Sequence, residues 1–349
     1  MSFPEPPQAK AQVRRAGKII AKGQETPDDI AVVDQWRAAH SYVLNTFKVW
    51  LLHKIRASGI NAEFAQRLKR RNTVIDKLRR TKPDGTPLIR DVTSMHDFAG
   101  CRIIFDNIDD LQEFRKYLHS PKVLGNVDHK PKHPDFDKYN YIESPKITGY
   151  RGIHDVFLHH PRPHRAGTST SGPWQGLMVE IQYRTRAQHA WATALEISDL
   201  IDGQRTKFGH GEDARGEFFA MASEIIARRH EGMQRAYAEL ETHQLETKFY
   251  RAEEQLHILQ RLNAMRQFEL YDQLRKHNVL NIVRSGEGYS LEIEVFSSSR
   301  KAIDRANELE SSADSLNAVY VTGEPAQLKS AYRNYFNDPV DFVQLLART

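Results

Sequence analysis

From Gly176 to Arg184 the apolar residues Leu177, Val179, Ile181 and Tyr183 alternate with Glu180, Gln182 and Arg184. A strand would carry that carboxylate, amide and guanidinium on one face. In an antiparallel sheet such a face usually meets water, so the pattern alone describes a polar surface as readily as a site. The other candidates are equally ambiguous one at a time. Asp97, four residues before a buried strand, reads as a turn or capping residue. Tyr150, after Thr148 and Gly149, reads as a turn aromatic, and His154 as a half-buried histidine. Arg67, Lys69, Arg70, Arg71, Lys77, Arg79, Arg80 and Lys82 crowd around a single acid, Asp76. They read as a solvated helix face whose repulsion calls for an anionic neighbour or water. Cys101 is the sole cysteine, which excludes an intrachain disulfide and any multi-cysteine metal site.

Taken together the fragments carry more than any one of them. Arg67-Leu68-Lys69 followed by Thr73 and Lys77, Asp97-Phe98-Ala99-Gly100-Cys101-Arg102, Pro145-Lys146 with Gly149-Tyr150-Arg151-Gly152-Ile153-His154, and Glu180-Ile181-Gln182-Tyr183-Arg184-Thr185 stand in the order of the RelA/SpoT synthetase family. Over about residues 40 to 205 the chain resembles that family. The resemblance implies an α+β fold: a mixed β-sheet flanked by helices, of the nucleotidyltransferase-like type. It also implies transfer of pyrophosphate from ATP to a nucleotide 3′-hydroxyl. Such a reaction moves charge onto phosphate oxygens and calls for a divalent cation on hard oxygen ligands beside fixed positive charge.

By the same resemblance Asp97 is a magnesium ligand. Glu180 is the second acid, which helps hold magnesium and takes the proton of the attacking hydroxyl. Arg67 stacks on adenine, and Lys69, Thr73, Lys77 and Arg102 belong to the ATP side, with Lys146 a further phosphate contact counted with the acceptor. Tyr150 stacks on the acceptor base, His154 orients acceptor or phosphate, and Gln182 and Arg184 brace Glu180 from behind. Thr73 stands where many members carry serine, and Tyr183 where an aliphatic residue is usual. The stretch Thr81 to Asp91 is longer than in compact members. The family's hydrolase domain is not expected, and His96-Asp97 is not its metal motif.

These side chains need elements to hold them. Residues 1 to 25 read as a flexible arm ending in a short helix. Thr26-Pro27-Asp28-Asp29 starts a helix through cap, proline and acids, and Gly59 ends it. A second, basic helix is expected from Asn61 until Lys82-Pro83-Asp84-Gly85, then a buried strand at Cys101 to Phe105 and a helix capped by Asn107. Residues 121 to 149 are loop-like. Strands at 152–159 and 174–184 pair antiparallel across a connection at 160–173. Helices follow at 186–201 and 217–231, separated by a loop at 202–216, and a long one runs from about Gln234 to Lys276. From Val279 the period changes to two, with a turn at Gly286-Glu287-Gly288. A strand at 318–322 and helices at about 299–312, 324–336 and 339–347 complete a smaller C-terminal α/β module. The expected divisions are an arm (1–25), a synthetase domain (26–232), a helical connector (233–278) and the module (279–349).

With 349 residues, 40% hydrophobic and 27% charged, the composition is that of a globular chain. No apolar run approaches the roughly 20 residues a bilayer requires, and residues 1–10 hold no apolar signal core. A cytoplasmic setting without membrane partners is expected. A formal charge of +5 suits phosphorylated ligands without demonstrating nucleic-acid binding. The first reading is an enzyme making (p)ppGpp from ATP and GDP or GTP. The second is a toxic relative that modifies the tRNA 3′ end or an adenosine nucleotide, with residues 279–349 neutralising or sensing. The third is a non-catalytic nucleotide-binding protein, disfavoured because binding alone does not need both acids. Homo-oligomerisation and a protein or small-molecule regulator at the C-terminal module stay open.

Overall fold

The computed structural model describes residues 3–82, 84–161, 172–201, 214–264, 274–285, 288–310, 315–322 and 339–347. Helix α1 (Lys10–Ala21) precedes α2 (Pro27–Ser58). In α2 the Thr26 side chain accepts from the Asp29 backbone N–H while Asp29 answers at the Thr26 N–H, a reciprocal cap, and Gly59 closes the helix at φ 71°. Only a residue at ease in the left-handed region ends a helix this way without strain. Val13, Ala16 and Ile20 of α1 are fully buried in the main core. The N-terminal segment is therefore a packed helix rather than a flexible arm, because its apolar residues recur at three- and four-residue steps.

Next come β1 (Ala62–Leu68) and α3 (Arg71–Arg79), which corrects the single helix expected from Asn61. Phe64, Gln66 and Leu68 alternate with Glu63, Ala65 and Arg67, a period of two that the run of bases after it obscured. After β2 (Ala99–Phe105), Asn107 caps α4 (Ile108–Leu118) by accepting from the Asp110 N–H. The loop-like stretch after it holds a short helix α5 (Pro121–Leu124) and strand β3 (His129–Pro131). Then follow β4 (Ile153–His159), β5 (Met178–Thr185), α6 (Arg186–Ile201) and α7 (Ala214–Glu231).

These strands form a mixed sheet in the order β1-β2-β5-β4-β3. Only β2 and β5 run parallel; β1 with β2, β4 with β5 and β3 with β4 are antiparallel. One face carries Phe64, Leu68, Cys101, Ile103, Val179, Ile181, Tyr183 and Phe157 and packs with α2 and α4 in the main core. On that face the buried Asp155 accepts from Arg115 at 3.0 Å and lies 2.7 Å from His119. The opposite face is the polar one.

The long connector expected to Lys276 is broken. Residues 234–241 form turns, α8 (Thr242–Leu256) ends at His257 in the left-handed conformation (φ 52°), and α9 (Ile258–Ala264) follows as a separate helix. The Glu253 carboxylate accepts from the Leu259 and Gln260 N–H groups, capping the restart. A smaller sheet in the order β7-β6-β8 then forms from β6 (His277–Ser285), β7 (Gly288–Val295) and β8 (Ser315–Thr322), with α10 (Ser299–Glu310) against it. The helix expected at 324–336 lies outside the described residues, as do most of the connections at 160–173 and 202–216.

The small sheet is not isolated: β8 lies alongside β1, and Arg37 donates to Asn307. The last helix, α11 (Val340–Leu345), leaves the module altogether. Its Phe342 is fully buried in a second core made by α6, α7, α8 and α9, stacked at 5.8 Å on Phe219. A fragment ending near Lys276 should therefore lose stability, as a phenylalanine removed from a core costs about 3–5 kcal/mol. Phe342→Ala in the full chain should show a loss of that size in urea unfolding; a midpoint equal to wild type would show that α11 is dispensable.

Candidate active site

The sheet register gathers most of the polar candidates on one face. Gly100 lies between Arg67 and Glu180, and Arg102 between Ala65 and Gln182, while Gln182 also faces His154. Residues paired across neighbouring strands point to the same side, so Arg67, Arg102, Glu180, Gln182 and His154 share that side with Arg184. A Cβ at Gly100 would meet no atom nearer than the Arg67 carbonyl oxygen at 3.9 Å, an ordinary contact.

Asp97 sits just before β2, and the ammonium groups of Lys69, beyond β1, and Lys77, on α3, both donate to its Oδ2 at 2.8 and 2.9 Å. Burial pushes the Asp97 carboxyl up, but the two ammoniums outweigh it and hold the group below the usual carboxylate range. Burial likewise lowers Lys69 despite the carboxylate beside it. The Lys69 backbone is pinned on both sides, its N–H donating to Phe98 O and its carbonyl accepting from Arg37. Thr73 lies in the first turn of α3. His96, beside Asp97, is 2.7 Å from the Lys132 ammonium; burial first and then that cation lower it to about 4, so it is a neutral acceptor there.

On the other side of Glu180 a chain of hydrogen bonds runs through the sheet. Gln182 donates to Glu180 Oε2 at 2.7 Å, His154 Nδ1 is 3.2 Å from Glu180 Oε1, and His154 Nε2 is 2.6 Å from the Tyr150 hydroxyl. Arg184 donates to Tyr150 and to Gln182. Burial opposes every charge here, yet His154 and Gln182 hold Glu180 far below the ordinary glutamate range. Burial would lower His154, but Tyr150 and Glu180 raise it to about 9. Burial would raise Tyr150, but Arg184 and His154 bring it down to about 7. An imidazolium between two oxygens is the state these neighbours favour. Tyr150→Phe removes one oxygen, so in the absence of metal the His154 titration seen by nitrogen NMR should move down from about 9 toward the ordinary histidine value of 6.5. An unchanged titration would mean that the phenol does not act on the imidazole.

Sequence reasoning did not single out Tyr141. Its ring meets Tyr150 and His154 edge-on at 5.8 and 5.4 Å, and the Lys146 ammonium lies 4.3 Å from its centroid and 5.2 Å from that of Tyr150. The signal was available, as Tyr139 and Tyr141 lead directly into Pro145-Lys146. Tyr150 itself is only 9% exposed, with the Lys146 ammonium 5.2 Å and the Arg184 guanidinium 5.1 Å from its ring centroid.

Among the described residues no group of three or more His, Cys, Asp or Glu is placed to hold a metal ion. Magnesium does not need one, because it binds through one or two carboxylates and completes its shell with waters and substrate phosphates. Asp97 Oδ1 is buried without a hydrogen-bond partner, an orphan that a hard cation would satisfy. Asp97 and Glu180 thus fit such an ion.

Residues 66–198 match the model of the region found in RelA/SpoT proteins, the segment that carries nearly every residue just described. This segment is similar to the RelA/SpoT family. The GTP pyrophosphokinase YjbM of Bacillus subtilis (strain 168) is 32% identical over 127 residues, 36% of this chain and 51% of that protein. The chain thus spans about half the length of that curated relative. Small alarmone synthetase 1 of Bacillus subtilis, bound to its product pppGpp, superimposes with a TM-score of 0.39 at 23% identity over 56% of this chain and 92% of its own. The same synthetase bound to AMPCPP gives 0.36 at 20% identity, over 54% and 88%. The RelA/SpoT segment begins within β1 and ends in α6, so α1, α2, α7 and everything after it lie outside the match. No described helix is long and apolar enough to cross a membrane.

Proposed function

We propose that the chain transfers pyrophosphate from ATP to the 3′-hydroxyl of GDP or GTP, giving ppGpp or pppGpp. The observation that carries this reading is the placement of Asp97 and Glu180 at one sheet face, with two ammoniums on Asp97 and an aromatic–imidazole chain on Glu180. The acceptor 3′-oxygen attacks the β-phosphorus of ATP, the bond from that phosphorus to the oxygen bridging to the α-phosphorus breaks, AMP leaves, and the hydroxyl proton is released to water. Lys69 and Lys77 neutralise charge gathering on the phosphates, with Arg67 and Arg102 on the same side. A bound magnesium ion would polarise the phosphoryl oxygens, and Asp97 with Glu180 would hold it. Glu180, kept ionised far below neutral pH, suits holding a cation and accepting a hydrogen bond from the attacking hydroxyl better than storing its proton, since a strong general base titrates near the working pH.

On the acceptor side Tyr150 supplies the stacking ring and Lys146 a phosphate contact. Tyr150→Ala should weaken acceptor use by roughly 1–3 kcal/mol, the scale of one base on an aromatic ring, and ATP binding much less. Lost ATP affinity with unchanged acceptor affinity, in a titration of each nucleotide, would reverse the assignment.

The acceptor is tested by giving the purified protein ATP labelled at the β-phosphate with separate pools of GDP, GTP and tRNA. Label in the guanine nucleotides alone is expected; label in tRNA alone would overturn this reading in favour of tRNA. Of the bases a tRNA reading would use, Arg70, Arg79 and Arg80, Arg79 is already paired with Glu25. Regulation through residues 279–349 would act through the contacts of β8 with β1 and of α10 with α3, the elements that precede Lys69 and carry Lys77.

A further inference from the structure

The turn that carries Tyr150 is held from outside the RelA/SpoT segment. Gly149 adopts φ +83° against α7, and a Cβ there would lie 2.8 Å from Ala220 Cα and 3.1 Å from Phe219 O, so the turn rests directly on the helix backbone. Ser223 of α7 donates to Gly149 O at 2.6 Å and accepts from Arg151 Nε at 3.2 Å. Arg151, 3% exposed, also pairs with Glu231 at the end of α7, whose side chain is equally buried. Glu231 Oε1 accepts in addition from the Thr185 hydroxyl at 2.5 Å and Gln188 at 3.0 Å. One carboxylate therefore joins the acceptor turn, the end of the strand bearing Glu180, and the start of α6.

We propose that Ser223, Glu231 and Arg151 are positioning residues that seat the Gly149–Tyr150 turn on α7 and so fix the acceptor ring relative to Glu180. The consequence for substrate rests on the acceptor role given to Tyr150 above; the seat itself does not. Three donors on one buried carboxylate leave it a single satisfied arrangement, since any displacement of the turn strands the Arg151 charge. Misplacing a reacting group by about 1 Å can cost on the order of 10²-fold in rate, which is the leverage such a seat would have.

The test compares full-length Ser223→Ala and Glu231→Gln with Glu224→Gln. Glu224 is a buried carboxylate on the same helix that binds Arg228 and the Arg235 and Ala236 N–H groups rather than the turn. Hydrogen exchange of peptides spanning 146–152 should speed up in the first two variants and stay at wild type in the third. The Michaelis constant for the guanine nucleotide should rise about tenfold or more, on the scale set by misplacement, while that for ATP holds. Unchanged exchange at 146–152 in Ser223→Ala, an equal rise in Glu224→Gln, or the two Michaelis constants rising together would overturn the proposal. Should Glu231→Gln fail to fold, Ser223→Ala, which removes a single hydroxyl, decides alone. If wild type uses no guanine nucleotide, the acceptor assignment falls, and the exchange measurement still decides the seat.

Discussion

Glu180→Gln is expected to lower pyrophosphate transfer by about 10³-fold or more, the combined scale of a lost cation ligand and a lost hydrogen-bond acceptor in the transition state. The substitution preserves volume and can keep an oxygen for the Gln182 amide, which now donates to Oε2 at 2.7 Å. What disappears is the negative charge that, with Tyr150, raises His154 to about 9. The imidazole should then titrate lower, and the protein should still unfold cooperatively. Turnover within tenfold of wild type would remove Glu180 from the mechanism.

Asp97→Asn should be as damaging to activity but different in character. The carboxylate neutralises two ammoniums through one oxygen, while the other oxygen is buried and unpartnered. An amide can accept from one lysine but brings an N–H₂ group toward the rest of a positively charged corner, and it offers a cation only a neutral ligand. Stability should fall by about 1–3 kcal/mol, as for a charged hydrogen bond left unmade in a partly buried place. Magnesium-dependent protection of the apo protein against heat should vanish with it. A variant that keeps both the magnesium-dependent shift in Tm and normal turnover would place the ion elsewhere.

The two substitutions bear on residues whose types were readable in the chain and whose neighbours mostly were not. Alternation around Glu180 placed it, Gln182 and Arg184 on one face, and the sheet bears this out, because a period of two leaves no freedom once the apolar face is buried. That β2 would lie parallel to β5, bringing Gly100 beside Glu180 and Arg102 beside Gln182, is a matter of tertiary pairing that no local pattern encodes. The helix expected through Arg67 is a strand that ends at Leu68, just before Lys69, because pairing with β2 outweighs the helix propensity of Arg, Leu and Gln. The break at His257 is illegible in sequence for the opposite reason: neither glycine nor proline marks it, and a non-glycine residue holds the left-handed conformation.

The seat of Tyr150 on α7 was the least legible part. Arg151 stood in plain view within Gly149-Tyr150-Arg151-Gly152, but Ser223 and Glu231 are 72 and 80 residues away and lie on a helix that reads as ordinary core. Burial of Phe342 against Phe219 is hidden likewise, since α11 follows the small sheet in sequence and reads as part of its module. Long-range contacts of this kind depend on where whole elements dock.

The most direct test of the central claim is the identity of the group transferred. With unlabelled GTP as acceptor and magnesium present, nucleotide chromatography should show AMP and pppGpp appearing in equal amounts, with no ADP, and both should vanish in Glu180→Gln. Formation of ADP, or loss of ATP with no new phosphate at the guanosine 3′ position, would contradict pyrophosphate transfer as the function of this site.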